Sequence, residues 1–326
     1  MKAILIREPG GTDQLYIGEV PDLAAKADQL LIKVHATALN RADLLQRRGL
    51  YPPPKGESEI MGLEMAGEVV AVGGQCTGFS LGDRVCGLLP GGGYAEYVTL
   101  PYQMAMKIPE RLSYEQAAAI PEVFLTAYLN LFQLGELTTG ETVVIHAGAS
   151  GVGTAAIQLV REAGATSIVT ASTNEKLEMC KSLGAGSVLS YLDGPFAPKV
   201  LDITKGKGAN IILDFIGAPY WEQNIQCLGY DGRLLIIGTM GGANVQNVNL
   251  GELLRKRVKV IGTALRSRSV DSKIDLTQKF MLFAWERFGD GRLVPVVDRV
   301  FSFADVAEAH RYMEENKNIG KIVLRL

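Results

Sequence analysis

The chain is poor in the residues that build metal centres and covalent staples. Of its 326 residues only three are histidine (His35, His146 and His310) and four are cysteine (Cys76, Cys86, Cys180 and Cys227). The cysteines lie far apart with no C-x-x-C pair, which argues against a zinc ribbon or a disulfide framework and fits a reducing, cytoplasmic setting. Net charge is nearly lacking too. Against 35 acidic residues stand 33 basic ones, a balance of −2, so no general field draws the chain to nucleic acid or anionic lipid. No apolar run reaches the about 18 residues of a membrane span, and the opening MKAILIREPGG meets Arg7, Glu8 and Pro9 too early for a secretory core. Internal repeats and low-complexity tracts are missing as well.

What is present is a globular composition, 47% apolar with 37 glycines, at a length that favours two domains. To about Pro109 the chain runs in short β-rich stretches (MKAILI, QLLIKVHATAL, AGEVVAVG, DRVCGLL, GYAEYVTL) between Gly and Pro turns, the pattern of an irregular β-barrel. Strand-like and helical runs then alternate. TVVIHA, SIVTAS, SVLSY, NIILDFIG, RLLIIGTMGG and VKVIGTAL are six candidate strands with helices between them, the size of a complete doubly wound parallel sheet for a dinucleotide. From about Arg266 a long amphipathic helix, VVDRVFSF, ADVAEAHRYMEENK and GKIVLRL read as a return to the first domain. The boundaries expected are 1–118 completed by 267–326 for the β-rich domain, and 119–266 for the α/β domain.

HAGASGVG, residues 146–153, stands between the first candidate strand of the α/β half and its helix. Gly148, Ser150 and Gly153 hold the fingerprint spacing, with serine where glycine is usual in the middle. A helix start has unpaired amides and a positive dipole end, so a pyrophosphate can be held by the backbone of Gly151, Val152 and Gly153 where side chains stay small. The alternative is a tight turn without ligand. At the end of SIVTAS, where an acid would bind the ribose of NAD, stand Ala171 and Ser172. Thr173 and Lys176 follow on a helix start, and Tyr191 after the next strand adds a hydroxyl. That set favours a 2′-phosphate, hence NADPH; the alternative makes Lys176 a solvated helix lysine, with Glu175 beside it reducing the positive potential.

ALNRADLLQRRGLYPPP (38–54), MGLEMAGEVVAVG (61–73), GGGYAEYV (91–98), AAAIPEVFLTAY (117–128), HAGASGVG and NKNIGKIVL (316–324) together resemble the medium-chain dehydrogenase/reductase superfamily over the whole chain. The resemblance is to its zinc-free, zeta-crystallin-like quinone oxidoreductases, and within them to the tumour-suppressor-inducible group. It implies a GroES-like β-barrel domain plus a Rossmann domain, an active site in the cleft between them, and a homodimer through the Rossmann edge strand VKVIGTAL. It also implies cofactor contacts at Thr126, at Gly238, Thr239, Met240, Gly241 and Gly242, at Leu265, Arg266 and Ser267, and at Asn318. Glycines in GTMGG would let the nicotinamide lie against the backbone, or form only a plain turn. The positions that bind catalytic zinc in the alcohol dehydrogenases of the superfamily match Asn40, Leu63 and Glu122 here, a set unfit for a tetrahedral nitrogen and sulfur site. The four-cysteine structural zinc loop is missing.

Without a Lewis acid to stabilise an alkoxide, the acceptor must itself be electron-poor, and quinones or conjugated carbonyls meet that need. Candidates to face the acceptor are Asn40, Asp43 and Tyr51: Asn40 as a hydrogen-bonding amide, Tyr51 as a ring to stack on or a phenol to donate, and Asp43 as an orienting group or simply a cap. The reading is NADPH-dependent quinone reduction. Enoyl or alkenal reduction at the same sites is one alternative, and a non-catalytic NADPH-binding protein, structural or RNA-binding, is another.

Overall fold

Strand patterning in the first stretch follows from alternation between buried and exposed positions. A computed structural model describes residues 1–326. Lys2–Ile6 (β1) pairs antiparallel with Leu15–Glu19 (β2). Gln29–Ala38 (β3) buries Leu30, Ile32, Val34 and Ala36 on one face and is followed by helix α1, Arg41–Arg47. Glu64–Val72 (β4), Arg84–Leu88 (β5), Tyr97–Pro101 (β6) and Met106–Lys107 (β7) complete this part, followed by short helices Tyr114–Ala118 (α2) and Pro121–Tyr128 (α3). β2 and β7 carry no signal in the sequence: β2 is largely solvent-facing and β7 is two residues long.

Parallel strands with helical crossovers come next: Thr142–Ile145 (β8), Gly151–Glu162 (α4), Thr166–Ala171 (β9), Asn174–Ser182 (α5), Ser187–Ser190 (β10), Phe196–Ile203 (α6), Ala209–Asp214 (β11), Trp221–Cys227 (α7), Leu228–Ile236 (β12), Leu250–Lys256 (α8) and Lys259–Gly262 (β13). Val270–Asp290 (α9), Val297–Ser302 (β14), Val306–Glu314 (α10) and Lys321–Arg325 (β15) follow. No helix is long and apolar enough to cross a membrane. The chain divides into two compact units, Met1–Leu125 with Leu265–Leu326, and Thr126–Ala264.

In the first unit β3 is the hub. One edge pairs with β4; the other is shared, β6 taking Gln29–Lys33 and β15 taking Ala36–Ala38. The sheet order is β14-β15-β3-β4-β5-β7, with β6 on β3. Ile4, Leu39, Leu44, Met61 and Tyr94 from the early part pack with Phe301, Val306, Met313, Ile322 and Leu324 from the late part in one core. Helix α9 buries Leu276, Phe280, Ala284 and Phe288 at every fourth position, and Phe280 and Phe288 meet Phe124 at 6.3 and 4.9 Å between ring centroids.

The second unit is one six-stranded parallel sheet, β10-β9-β8-β11-β12-β13, with the order reversing between β8 and β11. TVVI, SIVTA and IILD are buried almost throughout because helices cover both faces. The doubly wound α/β expectation holds, with its six strands in place. A π-helical turn at Leu129–Leu134 continues α3 and has no counterpart in the sequence reading.

A buried polar network ties the central strands together. Asn224 Nδ2 donates to Asp214 Oδ2 (3.1 Å), so Asn224 Oδ1 accepts from His146 Nε2 (2.8 Å), and His146 Nδ1 takes the Thr170 hydroxyl (3.0 Å). Asp214 Oδ1 accepts the amides of Ile216 and Gly217. Burial holds the His146 imidazole neutral, down to about 4, although its bond to Asn224 works in the opposite direction. The unfolded chain takes up that proton near 6.5, so below this pH the unfolded state binds more protons and His146 costs stability. His146→Gln is therefore expected to lower stability at pH 7.5 by about 1–2 kcal/mol through lost hydrogen bonds. The gap to wild type should narrow as pH falls from 6.5 toward 4, read by denaturant unfolding at each pH.

Candidate active site

The turn after β8 is shaped by contacts that only glycine allows. A Cβ on Gly148 would stand 1.9 Å from Val169 Cγ1, and one on Gly153 would stand 2.5 Å from the carbonyl oxygens of Ala147 and Gly148. The helix start is thus pressed onto the strand end, with Ala147 taking a left-handed φ of 49°. Serine at the middle fingerprint position is explained by its backbone. Ser150 has φ −70°, where any residue fits, and its Oγ accepts the Gly153 N–H (3.1 Å) as the N-cap of α4. The hydroxyl hydrogen remains available, and the amides of Gly151 and Val152 open the helix.

All six strands run parallel, so the segments after them share the sheet's carboxyl edge. That edge collects the turn Gly148–Gly153 after β8, Ser172, Thr173 and Lys176 after β9, Tyr191 after β10 and Gly238–Gly242 after β12. Thr173 Oγ1 caps α5 through the Lys176 N–H (3.3 Å). Ser172 and Lys176 are half-buried, and Tyr191 is exposed. In the Gly238–Gly242 loop, Met240 and Gly241 donate to Phe215 and Ile216, and Gly242 accepts from Ala218. A Cβ on Gly241 would meet Ile216 Cγ2 at 3.0 Å. Its glycine therefore serves loop-on-loop packing besides any room it leaves for a ligand. Thr126 is buried, its carbonyl accepting from Asn130 Nδ2 (2.8 Å).

In the first unit a buried ion pair organises the residues singled out by resemblance. Lys321 Nζ donates to Leu39 O (2.6 Å), Asn40 Oδ1 (2.7 Å) and Glu64 Oε1 (2.7 Å). Asn40 Nδ2 also donates to Glu64 Oε1 (2.8 Å), and Glu64 Oε2 accepts the Glu122 backbone N–H (2.9 Å). Glu64 is 0% exposed. Asp43 lies next to this cluster and is likewise sealed. It accepts from the amides of Asn40 (2.8 Å) and Gly62 (3.2 Å) and from the Tyr94 hydroxyl (3.3 Å). Behind Tyr94 the donor directions are set by elimination: Arg47 can only donate, so His310 Nδ1 accepts from it and His310 Nε2–H points to the Tyr94 oxygen. Arg47 also pairs with Glu314. Burial lifts the Asp43 carboxyl to about 6 against the pull of the Asn40 and Gly62 amides, and holds His310 neutral, down to about 3.

Asn40 has both ends of its amide engaged, and the fully enclosed Asp43 accepts the Asn40 N–H at the N-terminus of α1, which is the capping role named as one alternative for it. Arg266 is buried and turned to the Tyr51 turn: it donates to Pro90 O (2.8 Å), Tyr51 O (3.4 Å) and Gln46 Oε1 (2.8 Å), its guanidinium 5.3 Å from the Tyr51 ring centroid. These bonds hold the Tyr51 turn. Tyr51 itself is half-buried, and burial raises its phenol, which weakens it as an acid while leaving it a hydrogen-bond donor. Leu265 is buried, Ser267 exposed, and Asn318 half-buried with its amide on Gly320 O (2.8 Å). Glu64 and Lys321 were not singled out, though each is a charge inside an apolar strand pattern, a signal that calls for a buried partner.

Sequence comparison finds 33% identity with a quinone oxidoreductase of Pseudomonas aeruginosa over 99% of both chains. The chain belongs to the medium-chain dehydrogenase/reductase superfamily. Residues 26–110 of this oxidoreductase match the alcohol dehydrogenase GroES-like domain, and residues 151–279 match the family described as zinc-binding dehydrogenase. Its fold is similar to that of an Escherichia coli quinone oxidoreductase complexed with NADPH, with TM-score 0.88 and 28% identity over all of both chains. It is equally similar to the CurK enoyl reductase, with TM-score 0.88 and 28% identity over 99% of this chain and 98% of that one. The zinc in the second family's description calls for a set of donors that this chain does not bring together. No three His, Cys, Asp or Glu side chains come together as a metal-binding set. At the matching positions stand an amide already engaged, the buried Leu63 and the half-buried Glu122, and the nearby Glu64 carboxylate is paired with an ammonium. They do not fit a tetrahedral zinc site.

Removing the ammonium tests the cluster. Lys321→Met leaves Glu64 as an unpaired buried charge and should cost about 3–5 kcal/mol in urea unfolding. Combining it with Glu64→Gln should restore most of that loss, whereas equal losses in the single and double variants would show the pair to be incidental.

Proposed function

We propose that this oxidoreductase reduces quinones with NADPH and without a metal ion. The observation that carries the reading is the carboxyl edge of the parallel sheet: a turn closed to side chains at Gly148 and Gly153, beside the end of β9, where Ala171 and Ser172 stand in place of an acid and Lys176 lies on the first turn of α5. The amides of Gly151, Val152 and Gly153 and the Ser150 hydroxyl would hold the pyrophosphate. Ser172, Thr173 and Lys176 would hold the 2′-phosphate, which an acid at the strand end would repel. Tyr191 and the Gly238–Gly242 loop border the same edge, and Thr126 and Asn318 complete the set of cofactor contacts that the resemblance implies.

A bound reduced nicotinamide supplies a hydride. The chain's own part is orientation and charge. The cation paired beside Asn40, one of the positions matching a catalytic metal, is the Lys321 ammonium, whose three N–H groups are engaged by three oxygens at 2.6–2.7 Å. It has no donor left to polarise a carbonyl, so the acceptor must delocalise its own developing charge, as a quinone does. Tyr51, fixed by Arg266, offers a flat half-buried ring for such an acceptor. The likeness to an enoyl reductase favours a second reading, reduction of a conjugated double bond, which makes the same demand on the acceptor. Two copies pairing through the exposed edge strand β13 would give the dimer, and a cytoplasmic setting fits the unpaired cysteines.

Steady-state rates with naphthoquinones, benzoquinones and enals separate the two readings. NADPH should be the better donor, and turnover should survive exhaustive dialysis against EDTA. Lys176→Ala should raise the KM for NADPH about tenfold with little change for NADH, in line with the loss of about 1.5–3 kcal/mol from a charge-assisted bond. Ser172→Asp should do the same by repulsion. A preference for NADH in the wild type, or a turnover-dependent zinc, would remove the reading.

A further inference from the structure

Asp214 closes β11 at the carboxyl edge of the parallel sheet, across the switch point from the turn after β8. It is 2% exposed, and its carboxylate is met by three N–H groups and no cation. A carboxylate taken that far out of water is costly, so the bonds that satisfy it hold it in one place. Oδ1 accepts the amides of Ile216 (2.7 Å) and Gly217 (3.1 Å), and Oδ2 accepts Asn224 Nδ2 (3.1 Å). The backbone carbonyl of the same residue accepts the amides of Ile237 (2.8 Å) and Gly238 (3.3 Å), just past β12. One residue therefore holds two segments, 216–217 through its side chain and 237–238 through its main chain. The two segments are then joined to each other. Met240 N donates to Phe215 O (3.1 Å), Gly241 N to Ile216 O (2.8 Å) and Ala218 N to Gly242 O (2.9 Å). Gly217 has φ 86°, and a Cβ on it would stand 2.5 Å from the Gly242 oxygen. The backbone bonds of Gly238–Gly242 to other segments all end on 214–218, so the turn folded by the Asp214 carboxylate shapes that loop.

A dinucleotide lies across the switch point of such a sheet. With its pyrophosphate on the turn after β8 and its 2′-phosphate after β9, the other nucleotide half extends over the ends of β11 and β12, where this loop stands. We propose that Asp214 is a positioning residue for the nicotinamide half of the cofactor, holding the Gly238–Gly242 loop through the 216–217 turn without touching the cofactor itself. The inference rests on the NADPH reading above and names the buried group that prepares the nicotinamide end of that site. Within the polar network the labour is divided: Thr170, His146 and Asn224 tie strands and α7 together, and Asp214 Oδ1 serves the loop.

Two ligands separate the two ends of the site: NADPH, and adenosine 2′,5′-bisphosphate, which carries the 2′-phosphate but no nicotinamide. Calorimetry gives both affinities, and the emission of the reduced nicotinamide reports its surroundings when NADPH binds. Asp214→Ala releases the Ile216 and Gly217 amides. It should weaken NADPH binding about tenfold and shrink the emission change, with the bisphosphate bound as in the wild type. Asp214→Asn keeps an oxygen on both amides, and Asn224 can turn its own amide to accept from the new N–H group while His146 moves its proton to Nδ1. That variant should return NADPH affinity to within about threefold of wild type. Asn224→Ala removes two buried bonds but leaves Asp214 Oδ1 in place, so it should lose stability in urea unfolding and keep its NADPH affinity. If Asp214→Ala does not fold, Gly217→Ala strains the same turn against Gly242 and should give the same split between the two ligands. Wild-type NADPH affinity in Asp214→Ala, an equal loss of both ligands in the variant used, or a loss in Asn224→Ala as large as in Asp214→Ala overturns the role while leaving the NADPH reading in place. A wild type that binds neither NADPH nor the bisphosphate removes the reading and the role together.

Discussion

The first unit depends on one buried ion pair. Taking a carboxylate and an ammonium out of water costs several kcal/mol per ion, and the attraction between them offsets this only when the remaining donors and acceptors are also satisfied. At Glu64 and Lys321 they are: every N–H of the ammonium has an oxygen, and the carboxylate collects an ammonium, an amide and a backbone N–H. Meeting these demands brings the start of β15, the start of β4, the cap of α1 and the first turn of α3 to one point. The oriented chain from Arg47 through His310 and Tyr94 to Asp43 then fixes α1 from its other side. Placement of Asn40, Gln46 and, through Arg266, Tyr51 follows from these bonds.

The second unit rests on a different kind of constraint, the absence of side-chain volume. Gly148 and Gly153 let the α4 N-terminus sit against the ends of β8 and β9, and Ser150 is acceptable between them because its φ is negative and its oxygen is used as a cap. Below this turn the network of Thr170, His146, Asn224 and Asp214 holds β8, β9, β11 and α7 together without an ionised histidine. One unit thus spends buried charge, and the other spends glycine, to position its functional groups.

The strands and helices of the second unit were legible because local periodicity decides them: TVVI and SIVTA are mostly apolar and β-branched, and each is followed by a helix with its own cap. In the first unit the long runs were legible, but β2 was not, because LYIGE packs on one side only. Among site residues, the glycines were readable from spacing. Asn40, Asp43 and Arg266 were placed in the site by resemblance, yet which way each side chain turns depends on partners remote in sequence. Lys321 meets Asn40 across 281 residues, and Arg266 meets Gln46 across 220. No local pattern carries that information. The charges of Glu64 and Lys321 within apolar runs were the one trace of it in the sequence.

The split edge of β3 has a consequence for how the molecule is made. Glu64 is synthesised early, residues 126–264 of the other unit come next, and Lys321 and β15 leave the ribosome only afterwards. Until then β3 lacks the neighbour of Ala36–Ala38, and a glutamate destined for the interior has no counterion. The half made first is therefore the half finished last, and a nascent chain must keep it open to water, or to a chaperone, while its partner unit is already folding.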